Sequence, residues 1–159
     1  MIITFEMSEQ VCDVPEKWAV LVGIEDYSHP EQPVTTPRHD CLGNEIQYKP
    51  LSGCVNDVLA VEQYLVDTIK VNPKHIKKLL APFPDRRYLS ELLADSYHDP
   101  TYENIVNALQ VVCETAKKGD FVYFHFSGHG ASATTVFPEL KGGTAFRQIQ
   151  VCERKRQIY

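Results

Sequence analysis

Apolar positions along the chain fall into continuous runs and three-to-four steps, and the two kinds alternate. Trp18 to Ile24 reads WAVLVGI, an unbroken apolar and β-branched run of the kind found in a strand covered on both faces. It is expected to be a central parallel strand. Glu25 to Pro50 has Pro30, Pro33, Pro37 and Pro50 and no periodicity, a longer loop than compact domains usually carry, hence functional or disordered. From Cys54 onward, Val55, Val58, Leu59, Glu62, Leu65, Val66 and Ile69 step at three and four, placing most apolar groups on one helical face. Asn56 or Ser52 suits the start of this helix, and Asn72-Pro73 its stop. His75 to Leu80, HIKKLL, is a short strand candidate, and Tyr88 to Asp95 a candidate for a short helix.

Pro100-Thr101 opens the clearest helix, with Thr101 as N-cap and Ile105, Val106, Leu109, Val112, Cys113 and Ala116 as its apolar stripe. Lys117 and Lys118 suit its negative end, and Gly119 its C-cap. Phe121 to Phe126, FVYFHF, reads as a second buried strand, followed at once by Ser127-Gly128-His129-Gly130. Strands alternating with helices predict an α/β fold with right-handed crossovers and a parallel sheet, whose ligands bind at the carboxyl ends of the strands. The SGHG turn sits at such an end. Glu139 to Tyr159 has two glycines, an ERKR run and no sustained period, so nothing there is expected to complete the sheet. Internal repeats and low-complexity tracts are absent from the sequence.

Composition narrows the class. The 159 residues, 43% hydrophobic and 23% charged, fit one globular domain and exclude a disordered or collagen-like chain. No apolar run reaches the ~18 residues of a membrane span, and MIITFEMSEQ lacks a basic n-region, so neither a span nor a signal peptide is expected. With 16 basic against 21 acidic residues the net charge is -5, which argues against nucleic acid or anionic membrane as partner and mildly favours a cationic ligand. Cys12, Cys41, Cys54, Cys113 and Cys152 are an odd set without a C-x-x-C pair, as expected of free thiols in a reducing, cytoplasmic setting. His29, His39, Cys41 and Cys54 match no zinc framework and read as scattered loop residues.

A histidine between glycines at the exit of a strand leaves room for close approach of a substrate backbone. The alternatives are a plain tight turn with a solvated imidazole, or a phosphate loop, whose G-x-G-x-x-G or Walker spacing is missing. An esterase oxyanion loop would need a G-x-S-x-G elbow, which is also missing.

WAVLVGIEDY, LSGCVNDV, PTYENIVNAL and GDFVYFHFSGHGA, in that order, resemble the first part of a caspase-like cysteine peptidase, closest to metacaspases and fungal caspase-domain proteins. The resemblance runs from Lys17 to about Gly143. It implies a three-layer α/β sandwich with a mostly parallel sheet, apparently truncated. Residues 1–16 then form an N-terminal segment, 17–143 the large-subunit portion of the domain, and 144–159 a divergent tail. It also implies an endopeptidase acting on peptides or proteins, with a role in apoptosis-like cell death. In that chemistry a cysteine thiolate attacks a peptide carbonyl while a histidine manages the proton of the leaving amine.

His129 matches the family's catalytic histidine, and Gly130 the glycine whose backbone N–H receives the oxyanion. Cys54, Asp57 and Ser127 correspond to a primary pocket for Arg or Lys. Asp57, as a buried or half-buried carboxylate, would face the guanidinium. Its bland alternative is a first-turn carboxylate stabilised by the helix dipole. Cys54 is a pocket wall or packed core rather than a nucleophile. Caspases carry the nucleophile about 50 residues after the histidine, near position ~179; the D-x-C-x-S-G strand is not found here, so the small-subunit portion is expected to be missing. Cys152, in QVCERKR, has basic neighbours to lower its pKa but no strand or glycine to position it, and no nucleophile is assigned in this chain. Calcium activation is implied for a complete homologue, but its acidic residues fall where this chain departs or ends, so no metal ligand and no cofactor is assigned. The reading of a different class is a catalytically inactive caspase-like interaction or regulatory module with an exposed sheet edge.

Overall fold

The computed structural model describes residues 14–27, 38–39, 45–46, 48–83, 97–134 and 146–150. Their elements are β1 (Lys17–Ile24), β2 (Arg38–His39), β3 (Glu45–Ile46), α1 (Cys54–Asp67), a 3-10 turn at Pro73–His75, β4 (Ile76–Ala81), β5 (Tyr97–His98), α2 (Tyr102–Thr115), β6 (Phe121–Ser127), β7 (Gly130–Thr134) and β8 (Phe146–Gln150). The helix expected at Tyr88 to Asp95, most of the proline-rich loop, and Cys12, Cys41 and Cys152 lie outside the described residues.

β1 is the axis of a four-stranded sheet of order β5-β4-β1-β6, and all its pairings are parallel. Successive strand side chains point to opposite faces, so the WAVLVGI run feeds two cores at once. Ala19 and Leu21 pack with Val55, Val58, Leu65, Ile76 and Leu80 under α1. Val20, Val22 and Ile24 pack with Leu79, Ile105 and Val112 under α2. Helix, sheet and helix make the three layers that the alternating pattern predicts.

Glu62, the one charged member of α1's stripe, is explained by Lys78 of β4, whose ammonium donates to it at 2.9 Å. At the amino ends of the strands Asp120 accepts from the backbone N–H of Glu16 (2.8 Å) and Lys117 (2.9 Å) and from Trp18 Nε1 (3.1 Å). The Lys117 and Glu16 N–H groups hold its carboxyl below the ordinary aspartate range. This clip fastens the start of β1 to the turn that leads into β6.

Several expectations are corrected. FVYFHF does form a strand, but not a buried one: Phe121, Val122 and Phe124 are 49%, 47% and 40% exposed. The reason is position, because among the described residues no strand pairs with the free side of β6. Neither Asn56 nor Ser52 caps α1; Gly53 stands at the N-cap with no side-chain cap of its own. α1 ends at Asp67, and Asn72 instead caps the 3-10 turn, accepting from Lys74 N–H at 3.0 Å. Thr101 caps α2 as expected, accepting from Asn104 N–H at 3.1 Å. That helix closes at Ala116, however, leaving Gly119 to the following turn with φ 103°, and Cys113 is exposed rather than part of the stripe. The tail, which shows no sustained period in sequence, contains β8; it pairs antiparallel with β7 as a separate ladder and, as expected, does not join the four-stranded sheet.

Candidate functional site

The carboxyl end of β1, the start of α1 and the exit of β6 meet at one rim of the sheet. Close approach begins at Gly23, where a Cβ would stand 2.8 Å from the Cys54 carbonyl oxygen and 2.9 Å from Val58 Cγ2. Only glycine lets the first turn of α1 press onto β1. The next residue but one, Glu25, is fully buried. One of its carboxylate oxygens accepts from Gly53 N–H at 2.9 Å and Val55 N–H at 3.3 Å, and the other from Phe83 N–H at 3.2 Å. A side chain from another element thus satisfies α1's open N–H groups and offsets the positive end of its dipole.

On that anchored turn, Cys54 is buried and Asp57 exposed. The Ser127 hydroxyl, at the last position of β6, donates to Asp57 Oδ2 at 2.7 Å. The three residues assigned to a pocket, Cys54, Asp57 and Ser127, therefore come together from opposite ends of the sequence. Asp57 departs from expectation in its exposure. It projects from the first turn of the helix toward the strand exit instead of being enclosed, and its place there also suits the helix dipole. Burial raises the Cys54 thiol above its ordinary value, the hydrogen bond with Ser127 opposes this, and the charges of Glu25 and Asp57 add to the rise. A helix start usually favours a thiolate, but here desolvation and two carboxylates prevail. These influences work against a thiolate at Cys54.

Two residues beyond Ser127, the His129 ring is partly buried between two phenols. Its centroid lies 5.0 Å from that of Tyr27 and 5.2 Å from that of Tyr48. His129 Nε2 lies 2.8 Å from the Lys49 carbonyl oxygen. A carbonyl only accepts, so Nε2 carries the hydrogen and Nδ1 is the lone-pair nitrogen of the neutral ring. The backbone N–H of His129 donates to the Tyr27 hydroxyl at 2.6 Å. Gly130 is exposed and opens β7 opposite Gln150. The rim thus offers an oriented imidazole beside a hydroxyl–carboxylate pair, which is equipment for proton transfer next to a cation-attracting spot.

Glu25, Tyr27, Tyr48 and the Lys49 carbonyl are participants that residue types alone do not reveal. Glu25 and Tyr27 had one usable signal, since both directly follow a strand that ends at the ligand rim. A backbone carbonyl leaves none. Among the described residues, no group of three or more His, Cys, Asp or Glu side chains is arranged to hold a metal ion. No helix there is long and apolar enough to cross a membrane.

Comparison with known proteins places the sequence in a family. A family model for the metacaspase peptidase C14 domain matches residues 17–143. Metacaspase-7 of Arabidopsis thaliana is 37% identical over 89 residues, 56% of this chain and 19% of that protein. Metacaspase-1 of Yarrowia lipolytica is 34% identical over 86 residues, 54% of this chain and 16% of that protein. Metacaspase-5 of Trypanosoma brucei brucei is 33% identical over 93 residues, 58% of this chain and 15% of that protein. The chain therefore spans about a fifth or less of the length of these relatives. By the family match, the ordered motif blocks and the α/β sheet that brings them to one rim, the chain belongs to the metacaspase family of caspase-like cysteine peptidases.

Proposed function

We propose that this chain is the histidine-bearing portion of a cysteine endopeptidase that cleaves peptides or proteins after Arg or Lys in a reducing, cytoplasmic setting. The observation that carries the proposal is the Ser127–Asp57 hydrogen bond of 2.7 Å, which fixes a carboxylate at the strand exit two residues from His129. In this reading Asp57 meets the guanidinium or ammonium of the substrate, Ser127 keeps the carboxylate aimed, and Cys54 closes the pocket wall. His129, with Nε2–H on the Lys49 carbonyl, uses Nδ1 to take the proton of the attacking thiol. Sulfur bonds to the scissile carbonyl carbon, the Gly130 N–H receives the oxyanion, and the imidazolium returns its proton to the amine as the C–N bond breaks. Water, deprotonated by the same imidazole, then releases the acyl group from sulfur.

The thiolate is assigned to a cysteine-bearing segment outside these 159 residues. Cys54 is buried with a raised pKa, and Cys113 sits exposed on α2. Calcium activation is carried by the family resemblance alone, and no step here runs through a metal. A second reading, an inactive interaction module, draws on the exposed apolar edge of β6.

Hydrolysis of Arg- and Lys-terminated peptide amides separates the two. The polypeptide that includes the cysteine-bearing segment is expected to turn them over and to lose activity in His129→Ala; activity retained in that variant removes His129 from the mechanism. The 159-residue chain alone is expected to be inactive, and hydrolysis by it that disappears in Cys152→Ala overturns the assignment of the nucleophile.

A further inference from the structure

The geometry points to Tyr27 as the residue that positions His129, an assignment resting on the acid–base reading of that histidine. Tyr27 lies just past the end of β1, 102 positions before the residue it holds. Its ring packs against the buried cluster of Val20, Val22 and Ile24, so its hydroxyl is presented by a group anchored in the core. That hydroxyl accepts the backbone N–H of His129 at 2.6 Å. The ring faces the imidazole at 5.0 Å, and Tyr48, 5.6 Å from Tyr27, closes the other side. Gly128 completes the fit, because a Cβ there would stand 2.5 Å from the Tyr27 hydroxyl oxygen. The glycine before the histidine is the space the phenol occupies.

Two chemical consequences follow from this contact. The histidine is tied at two points, its backbone N–H on Tyr27 and its Nε2–H on the Lys49 carbonyl, and together these set the direction of Nδ1. The N–H of His129 is also taken, so the oxyanion donor of this turn is Gly130 and not its neighbour. Tyr27 acts through the backbone and ring of His129; it is a positioning residue.

The test is nuclear magnetic resonance on the isotopically labelled 159-residue chain, comparing Tyr27→Phe with the parent. Loss of the single hydroxyl is expected to speed solvent exchange of the His129 amide roughly fivefold, the factor a typical net hydrogen bond supplies. The imidazole is expected to lose its Nε2–H tautomer signature, while amides of the β1, β4 and β6 ladders keep their protection. Gly128→Ala, which puts a methyl group where the hydroxyl sits, should give the same His129 signature. Unchanged His129 amide and ring signals in Tyr27→Phe overturn the assignment, and so does a loss of protection spread through the ladders, which would make Tyr27 a general packing residue. In the turnover-competent longer polypeptide, Tyr27→Phe is expected to lower kcat with KM unchanged; an unchanged kcat overturns the assignment. Failure of the peptidase reading would show instead as a parent polypeptide without turnover, whatever the amide result.

Discussion

β1 and β6 are neighbours, run parallel and are both written mostly in apolar residues, yet they live in different surroundings. Ala19, Val20, Leu21, Val22 and Ile24 of β1 are fully buried, whereas Phe121, Val122 and Phe124 of β6 are 49%, 47% and 40% exposed. β1 has a strand on each side and a helix over each face; β6 has β1 on one side only among the described residues. Burial is therefore conferred by neighbours, not by apolarity. The two exits also differ in what they carry. β1 ends in the parts that hold, Glu25 under the first turn of α1 and Tyr27 under the SGHG turn. β6 ends in the parts proposed to act, Ser127 and His129.

The contrast predicts where substitutions register as lost stability. Leu21→Ala in β1 is expected to cost about 3 kcal/mol in chemical denaturation, as for a large core side chain. Phe124→Ala in β6, on an exposed ring, is expected to cost on the order of 1 kcal/mol. Equal losses would break the distinction between axis and edge. Glu25→Gln keeps the shape but turns an NH2 toward a backbone N–H that now has an acceptor, and a loss of about 2 kcal/mol is expected. A neutral result would mean that the carboxylate is not what anchors α1.

Asp120 gives the smallest effect, readable as pH dependence. Its carboxyl is lowered in the fold, so the stability it contributes is fully present above the ordinary aspartate range and is lost as pH falls through the lowered value. Asp120→Asn should flatten that acid limb of the denaturation midpoint and leave the neutral region nearly level. An acid limb identical to the parent's would remove the clip from the account.

Much of this was legible because both elements and motifs have short-range signatures. The period of α1, the run of β1 and the Thr101 cap are written within a few residues each. So are the motif blocks that carry the family, LSGCVNDV and GDFVYFHFSGHGA. What was not legible depends on separations no local pattern records. Glu25 reaches Gly53 across 28 residues and Tyr27 reaches His129 across 102. The exposure of β6 is likewise a property of the sheet's edge. Asp57 was expected to be enclosed, but a first-turn side chain that reaches a strand exit stays open to solvent on one side. This softens its electrostatics, so Asp57→Asn is expected to lower kcat/KM for Arg substrates by about tenfold rather than by the larger factor of a fully buried pair.

The central claim, a basic side chain held at Asp57 beside His129, is tested most directly by titrating the labelled 159-residue chain with a peptide ending in Arg and with its norleucine counterpart. The account predicts amide shifts at Cys54, Asp57, Ser127 and His129 for the Arg peptide alone, abolished in Asp57→Asn. Equal responses to both peptides, or an Arg response that survives Asp57→Asn, would contradict it.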